Sequence, residues 1–133
     1  MSRPHFLQTL LKRREAGVSF RLHNTRSGLD VATTLETAFS SSDRKRGLLG
    51  RDGLAPGQAL IIAPTNLVHT FAMRFPIDII FAAKDGRVIK VSRGVPRRRI
   101  AGAFGGFAVV ELAAGESDRS ETRPGDSLEV VPL

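Results

Sequence analysis

Val18, Phe20 and Leu22 alternate with Ser19, Arg21 and His23, the period-two pattern of a half-buried strand. Turn residues fill Asn24 to Gly28. The β-branched stretch Leu29 to Leu35 then predicts the partner strand of a hairpin, with Thr33, Thr34 and Glu36 on a solvated face. Ala59 to Pro64 is apolar throughout, as in a central strand. Val68 to Met73 predicts a further strand whose two faces are Val68, Thr70, Ala72 and His69, Phe71, Met73. Pro76 separates it from a strand over Ile77 to Ala82, since proline cannot donate to a ladder. Asp85-Gly86 stands between IDIIFAAK and RVIKVS, the strongest hairpin signal in the chain. Phe107 to Leu112 and Ser127 to Val131 read as the last two strands, joined through a polar loop at Ser117 to Pro124.

Helical spacing is brief. Phe6, Leu7, Leu10 and Leu11 recur at helical intervals within Pro4 to Ala16, and Gly17 can stop that turn. Ser40-Ser41-Ser42-Asp43 is a helix start signal, because a Ser or Asp oxygen accepts the free N–H groups of a first turn. The pattern predicts a helix over Asp43 to Leu49 ending at Gly50, with Leu48 and Leu49 inward and Arg46 near enough to follow them. The sum is a mainly β, β-rich α+β chain. We expect an antiparallel open barrel or sandwich of about seven to nine strands with one or two short helices. Residues 1–17 are expected to be an N-terminal extension and 18–133 a single β-rich domain.

Composition sharpens this in three places. The 133 residues include no cysteine, which removes disulfides, thiol catalysis and thiolate metal sites, and fits a reducing compartment. The N-terminal apolar patch precedes its basic residues and is too short for a secretory signal, and no run is long enough to span a bilayer. A cytoplasmic location is the expectation. The net charge is +7, with clusters at Lys12–Arg14, Arg44–Arg46 and Arg97–Arg99. Such clusters suit a polyanion or anionic metabolite. No nucleic-acid motif accompanies them, so nucleic-acid binding is the lesser reading beside solvated surface. The N-terminal stripe with its basic flank buries too little for membrane docking alone.

Candidate chemistry gathers between Asn66 and Phe81, NLVHTFAMRFPIDIIF. His69 shares a strand face with Phe71 and Met73, so partial burial is expected and one ring nitrogen needs a partner. Asp78 lies between Ile77 and Ile79, and a carboxylate buried there must be paired or hydrogen-bonded. Arg74, Arg46 and His69 are partners by chemistry. Glu111 repeats the pattern within FAVVEL. Arg46, His69, Arg74, Asp78 and Glu111 are therefore the candidate pocket, and Arg97, Arg98 and Arg99 the candidate anion site. The three histidines lack metal-ligand spacing, no serine sits in a nucleophile elbow, and Gly102, Gly105 and Gly106 form no phosphate fingerprint. No metal or cofactor is expected.

RKRGLLGR (Arg44 to Arg51), VHTFAMRFPIDIIF, DGRVIKV, VVELAAG and PGD (Pro124 to Asp126) occur in that order. This succession, spread over Val31 to Val131, resembles domain of unknown function family 192. The resemblance implies a compact β-rich fold with short helices and a concave face, and brings no assigned activity. Its motif positions fall here on Arg46, Gly47, Leu48, Met73 and Pro76, and on Asp78, Glu111, Gly115, Gly125 and Asp126. Relatives often carry tryptophan and lysine around the position of Met73 and methionine at that of Leu49, and many are exported. This chain reads HTFAMR there and resembles a subgroup with His69 and Arg74. The leading expectation is a domain that binds a small polar or anionic ligand near His69, Arg74 and Asp78. The alternatives are an acid/base enzyme using the same residues, polyanion binding through the arginines, and a structural or partner-binding module.

Overall fold

A computed structural model describes residues 5–13, 18–48, 51–71 and 73–133. Among them are ten strands and three short helices, so the chain is β-rich α+β. The central sheet has five strands in the order β3 (Thr34–Ala38), β4 (Gln58–Ile62), β9 (Ala108–Ala113), β6 (Ile77–Ala82), β7 (Val88–Val95). Beside it lies a three-stranded sheet of β10 (Leu128–Pro132), β1 (Phe20–Asn24) and β2 (Asp30–Ala32). A two-stranded ribbon pairs β5 (Leu67–His69) with β8 (Ile100–Gly102). These separate sheets do not close into a barrel.

The runs that are apolar on both sides in sequence became the three central strands, which need cover on two faces. One face carries Ala59, Ile61, Ile80, Val110 and Leu112, and packs on the three-stranded sheet. Helix α1 (Gln8–Arg13) and the turn before it bring Leu10 and Leu7 to the same cluster. The other face carries Leu60, Ile62, Ile77, Ile79, Phe81 and Val109. It is covered by Leu48, Leu54 and Met73, with Val68 and Ala101 of the ribbon.

Several local readings needed revision. Leu29 to Leu35 is not one strand: β2 pairs with β1, the chain bends at Thr33, and β3 continues in the central sheet. Gly57 O accepts from the N–H groups of Thr33 and Thr34 at that bend. β3 and β4 are parallel, the one departure from antiparallel pairing among the described residues, because the crossover between them contains α2 (Ser41–Arg46). Ser40 caps α2 as its sequence requires, its Oγ accepting from Asp43 N at 3.1 Å. The helix ends at Arg46, and the expected stop at Leu49 and Gly50 lies outside the described residues. The expected strand Val68 to Met73 is confined to β5; Ala72 lies outside the described residues. The chain between β7 and β9 holds β8, and the polar loop after β9 holds α3 (Glu116–Arg119). The Asp85-Gly86 hairpin joins β6 to β7 as expected, with Gly86 at φ +89° and Arg87 N donating to Asp85 Oδ1 at 3.0 Å.

Candidate functional site

Register decides where the two core acids point. Side chains alternate along a strand, and Asp78 sits opposite Leu112 while Glu111 sits opposite Ile79 and Leu60. Leu112 belongs to one apolar cluster, and Ile79 and Leu60 to the other. Asp78 and Glu111 therefore project from opposite faces of the same sheet. They cannot act on one ligand.

Asp78 is sealed in the core. Its Oδ1 accepts from Gly94 N at 2.9 Å. Its Oδ2 accepts from Gly115 N at 3.1 Å, Ser117 N at 3.0 Å and Ser117 Oγ at 2.6 Å. Four donors saturate the carboxylate and tie β6 to β7 and to the first turn of α3. Neither Arg74 nor Arg46 is its partner. Arg74 is exposed and pairs with Asp52 at 2.6 Å.

Glu111 has the opposite environment. It is 5% exposed, and its Oε2 is buried with no hydrogen-bond partner among the described residues. Burial lifts its carboxyl to about 7, against the pull of the nearby Arg51 guanidinium. Arg51 is itself engaged by Glu36, which its guanidinium grips with both Nη atoms. Nothing in the sequence marks Arg51 as a neighbour of Glu111, because the strand that carries Glu111 lies sixty residues further on.

Glu111 lines a cavity of about 130 Å³ between α2 and β5. Leu48, Ile62, Val68 and Met73 supply apolar wall, and Arg44, Lys45, Arg46 and His69 supply polar wall. Arg46 is 73% exposed and makes one long contact, 3.5 Å, to Asp43 one turn earlier. It stands in solvent because it closes the last turn of a six-residue helix. His69 is exposed rather than partly buried. His69 lies on the same face of the β5–β8 ribbon as the exposed Leu67 and Ile100, and its ring rests 5.6 Å from that of Phe71. Three of the five candidate residues, Arg46, His69 and Glu111, thus border one space; Arg74 and Asp78 lie elsewhere. Arg97, Arg98 and Arg99 are exposed on the segment that leads into β8, where Arg99 O accepts from Thr70 N at 2.8 Å. Among the described residues no group of three or more His, Asp or Glu is placed to hold a metal, and no helix is long and apolar enough to cross a membrane.

The chain belongs to domain of unknown function family 192, described as an uncharacterised ACR, whose model matches residues 20–130. Two solved structures are similar. One is a protein of unknown function from Novosphingobium aromaticivorans DSM 12444, 26% identical, with a TM-score of 0.72 over 84% of this chain and 83% of that one. The other is a proposed transcription regulator from Sinorhizobium meliloti 1021, also 26% identical, with a TM-score of 0.73 over 85% of this chain and 92% of that one. No curated protein matches the chain.

Proposed function

We propose that the chain binds a small polar or anionic ligand in the cavity between α2 and β5, with a hydrogen-bonding group of the ligand against Glu111. The observation that carries this reading is Glu111 itself: a buried carboxyl oxygen without a partner at the wall of a cavity. Native proteins satisfy almost every such group, and an orphan needs a reason. The cavity of about 130 Å³ matches the liquid volume of about four waters, at ~30 Å³ each. It suits a small acid, or one end of a larger molecule. Arg44, Lys45 and Arg46 around it favour negative charge, and a protonated Glu111 can donate to an anion without repelling it. Asp78 and Arg74 take no part in this reading.

The test is a titration of the full chain, followed by amide spectra, with acetate, malonate, inorganic phosphate and acetamide. One of these is expected to shift Gly47, Thr65 and Val68 saturably. Glu111→Gln and Arg46→Gln should weaken that binding, and Arg74→Gln should not. Anion affinity should fall as pH rises through about 7, as Glu111 loses its proton. Saturable shifts that both pocket variants retain, or no saturable shift with any of the four, would sink the reading.

The carboxyl near 7 also favours a second reading, an acid/base enzyme with Glu111 as the proton donor and acceptor. That reading requires turnover whose pH profile breaks near 7 and is abolished by Glu111→Gln with the fold intact.

A further inference from the structure

Six large hydrophobic side chains are exposed among the described residues, and four of them, Leu67, Phe71, Ile100 and Phe104, cluster on or beside the β5–β8 ribbon. Each is at least half exposed, and Phe104 is fully so. The pairing Leu67↔Gly102 and His69↔Ile100 puts Leu67, His69 and Ile100 on the outer face, while Val68 and Ala101 face the core. Leu67 lies across Gly102, whose Cβ position is 3.0 Å from Leu67 Cδ1. Phe71 follows Thr70, which is clamped to the arginine run: Thr70 N donates to Arg99 O at 2.8 Å and Thr70 Oγ1 to Pro96 O at 2.7 Å. Phe104 sits in a turn closed by Gly106 N to Ala103 O and anchored by Ala103 N to Asn66 O. These apolar groups are therefore held out in solvent by a bonded backbone.

Charge lies among them. Arg97, Arg98 and Arg99 are exposed and none is ion-paired among the described residues. Arg98 takes a left-handed backbone, φ +64°, that side chains other than glycine rarely adopt. On the β7 side of the ribbon, Lys90, Arg93 and Arg99 line an open groove.

We propose that this ribbon docks on the surface of an anionic lipid bilayer, with Phe104, Ile100, Leu67 and Phe71 entering the interface and the arginines and the Lys90 groove meeting headgroup phosphates and carboxylates. Charge complementarity makes the partner anionic. The apolar groups choose among anionic partners. Single-stranded nucleic acid offers bases that stack on phenylalanine, but Leu67 and Ile100 have no π-face to use. A protein interface gathers its apolar groups at the centre and keeps charge at the rim; here His69 stands between Leu67 and Phe71, and Arg99 beside Ile100. Apolar tips interleaved with cations are what an interfacial surface on acidic lipid requires. The proposal does not depend on what the Glu111 cavity holds.

The experiment is co-sedimentation of the full chain with vesicles of phosphatidylcholine, alone or with about 30% phosphatidylserine. Binding is expected only with phosphatidylserine, and to weaken as salt rises. The double variant Ile100→Ser, Phe104→Ser is expected to lower partitioning about tenfold or more, as is Arg97→Gln, Arg98→Gln, Arg99→Gln. All five side chains are exposed, so circular dichroism and melting should match the parent. Glu111→Gln should bind vesicles unchanged, which separates this surface from the pocket. No sedimentation at low salt overturns the proposal. So does full retention of binding by the serine double variant, and so does tighter binding to a single-stranded oligonucleotide lost in the same variants.

Discussion

Asp78 and Glu111 are the same kind of group in the same kind of sequence, each a buried carboxyl inside a β run with apolar neighbours, and they differ in the face they occupy and the partners they find. Asp78 is 1% exposed and its carboxylate meets four donors. Replacing it with alanine strands the buried Ser117 N–H and hydroxyl, where each unsatisfied donor costs about 1–3 kcal/mol, and takes the acceptor from the N–H groups of Gly94 and Gly115 nearer the surface. We expect Asp78→Ala to lose at least about 3 kcal/mol in urea unfolding; a loss under about 1 kcal/mol would mean that the knot is dispensable. Glu111 acts in the other direction. Its native carboxyl is raised from 4.5 to about 7 by burial, so the native state holds its proton more tightly than the unfolded chain. By linkage its contribution is intact below about pH 4.5 and lost as pH rises through about 7. The full loss is roughly 3 kcal/mol for a shift of that size. The stability difference between Glu111→Gln and the parent, measured by urea unfolding from pH 5 to 8, should therefore grow in favour of the variant. A flat difference would mean that Glu111 finds a partner in solution. Asp126 supplies the contrast at the acid end. Burial would raise it, but Arg26, Asn24 and the Arg123 N–H overcome burial and hold it at about 2, so its contribution fades only as pH falls below about 3.8.

At the scale of elements, the β6–β7 hairpin shows how a local signal and a distant packing demand meet at one residue. Gly86 is needed twice. Its φ of +89° is costly for any residue with a Cβ, and that Cβ would stand 2.4 Å from Leu128 O and 3.2 Å from Phe6 Cβ. The turn is thus pressed between β10, through Leu128 N donating to Gly86 O at 2.9 Å, and the N-terminal segment. Gly86→Ala should cost well over the ~1–2 kcal/mol of left-handed strain alone, because backbone must move to admit the methyl. Gly28 gives the control: φ is +73°, but nothing lies within 4 Å of its Cβ position. Gly28→Ala should show the strain and nothing more. Equal losses at the two sites, by thermal or urea unfolding, would show that the contact at Gly86 relaxes freely.

Across the whole molecule, what could be read from the chain is what local chemistry decides. Ser40 announces α2, Asp85-Gly86 announces its hairpin, and the double-sided apolar runs announce β4, β6 and β9. β8 and α3 gave no such signal, being three and four residues long and held by distant partners such as Asp78 at Ser117. The facing of Asp78 and Glu111 was hidden for a related reason. Where both faces of a sheet are buried, alternation leaves no polar side to read, and only pairing register separates the two acids. The N-terminal stripe of leucines lies outside the family motifs, and the family model begins at residue 20. Yet Leu7 is fully buried and Leu10 nearly so, both in the cluster that joins the two larger sheets, and Phe6 N donates to Lys84 O at 2.9 Å beside the hairpin turn. A leucine in that position behaves as core whatever its place in the chain. Leu7→Ala should cost about 2–5 kcal/mol, the range for emptying a packed site, and should lower the melting temperature accordingly. An appendage would lose no more than about 0.5 kcal/mol, as surface positions do, and urea unfolding of this one variant distinguishes the two.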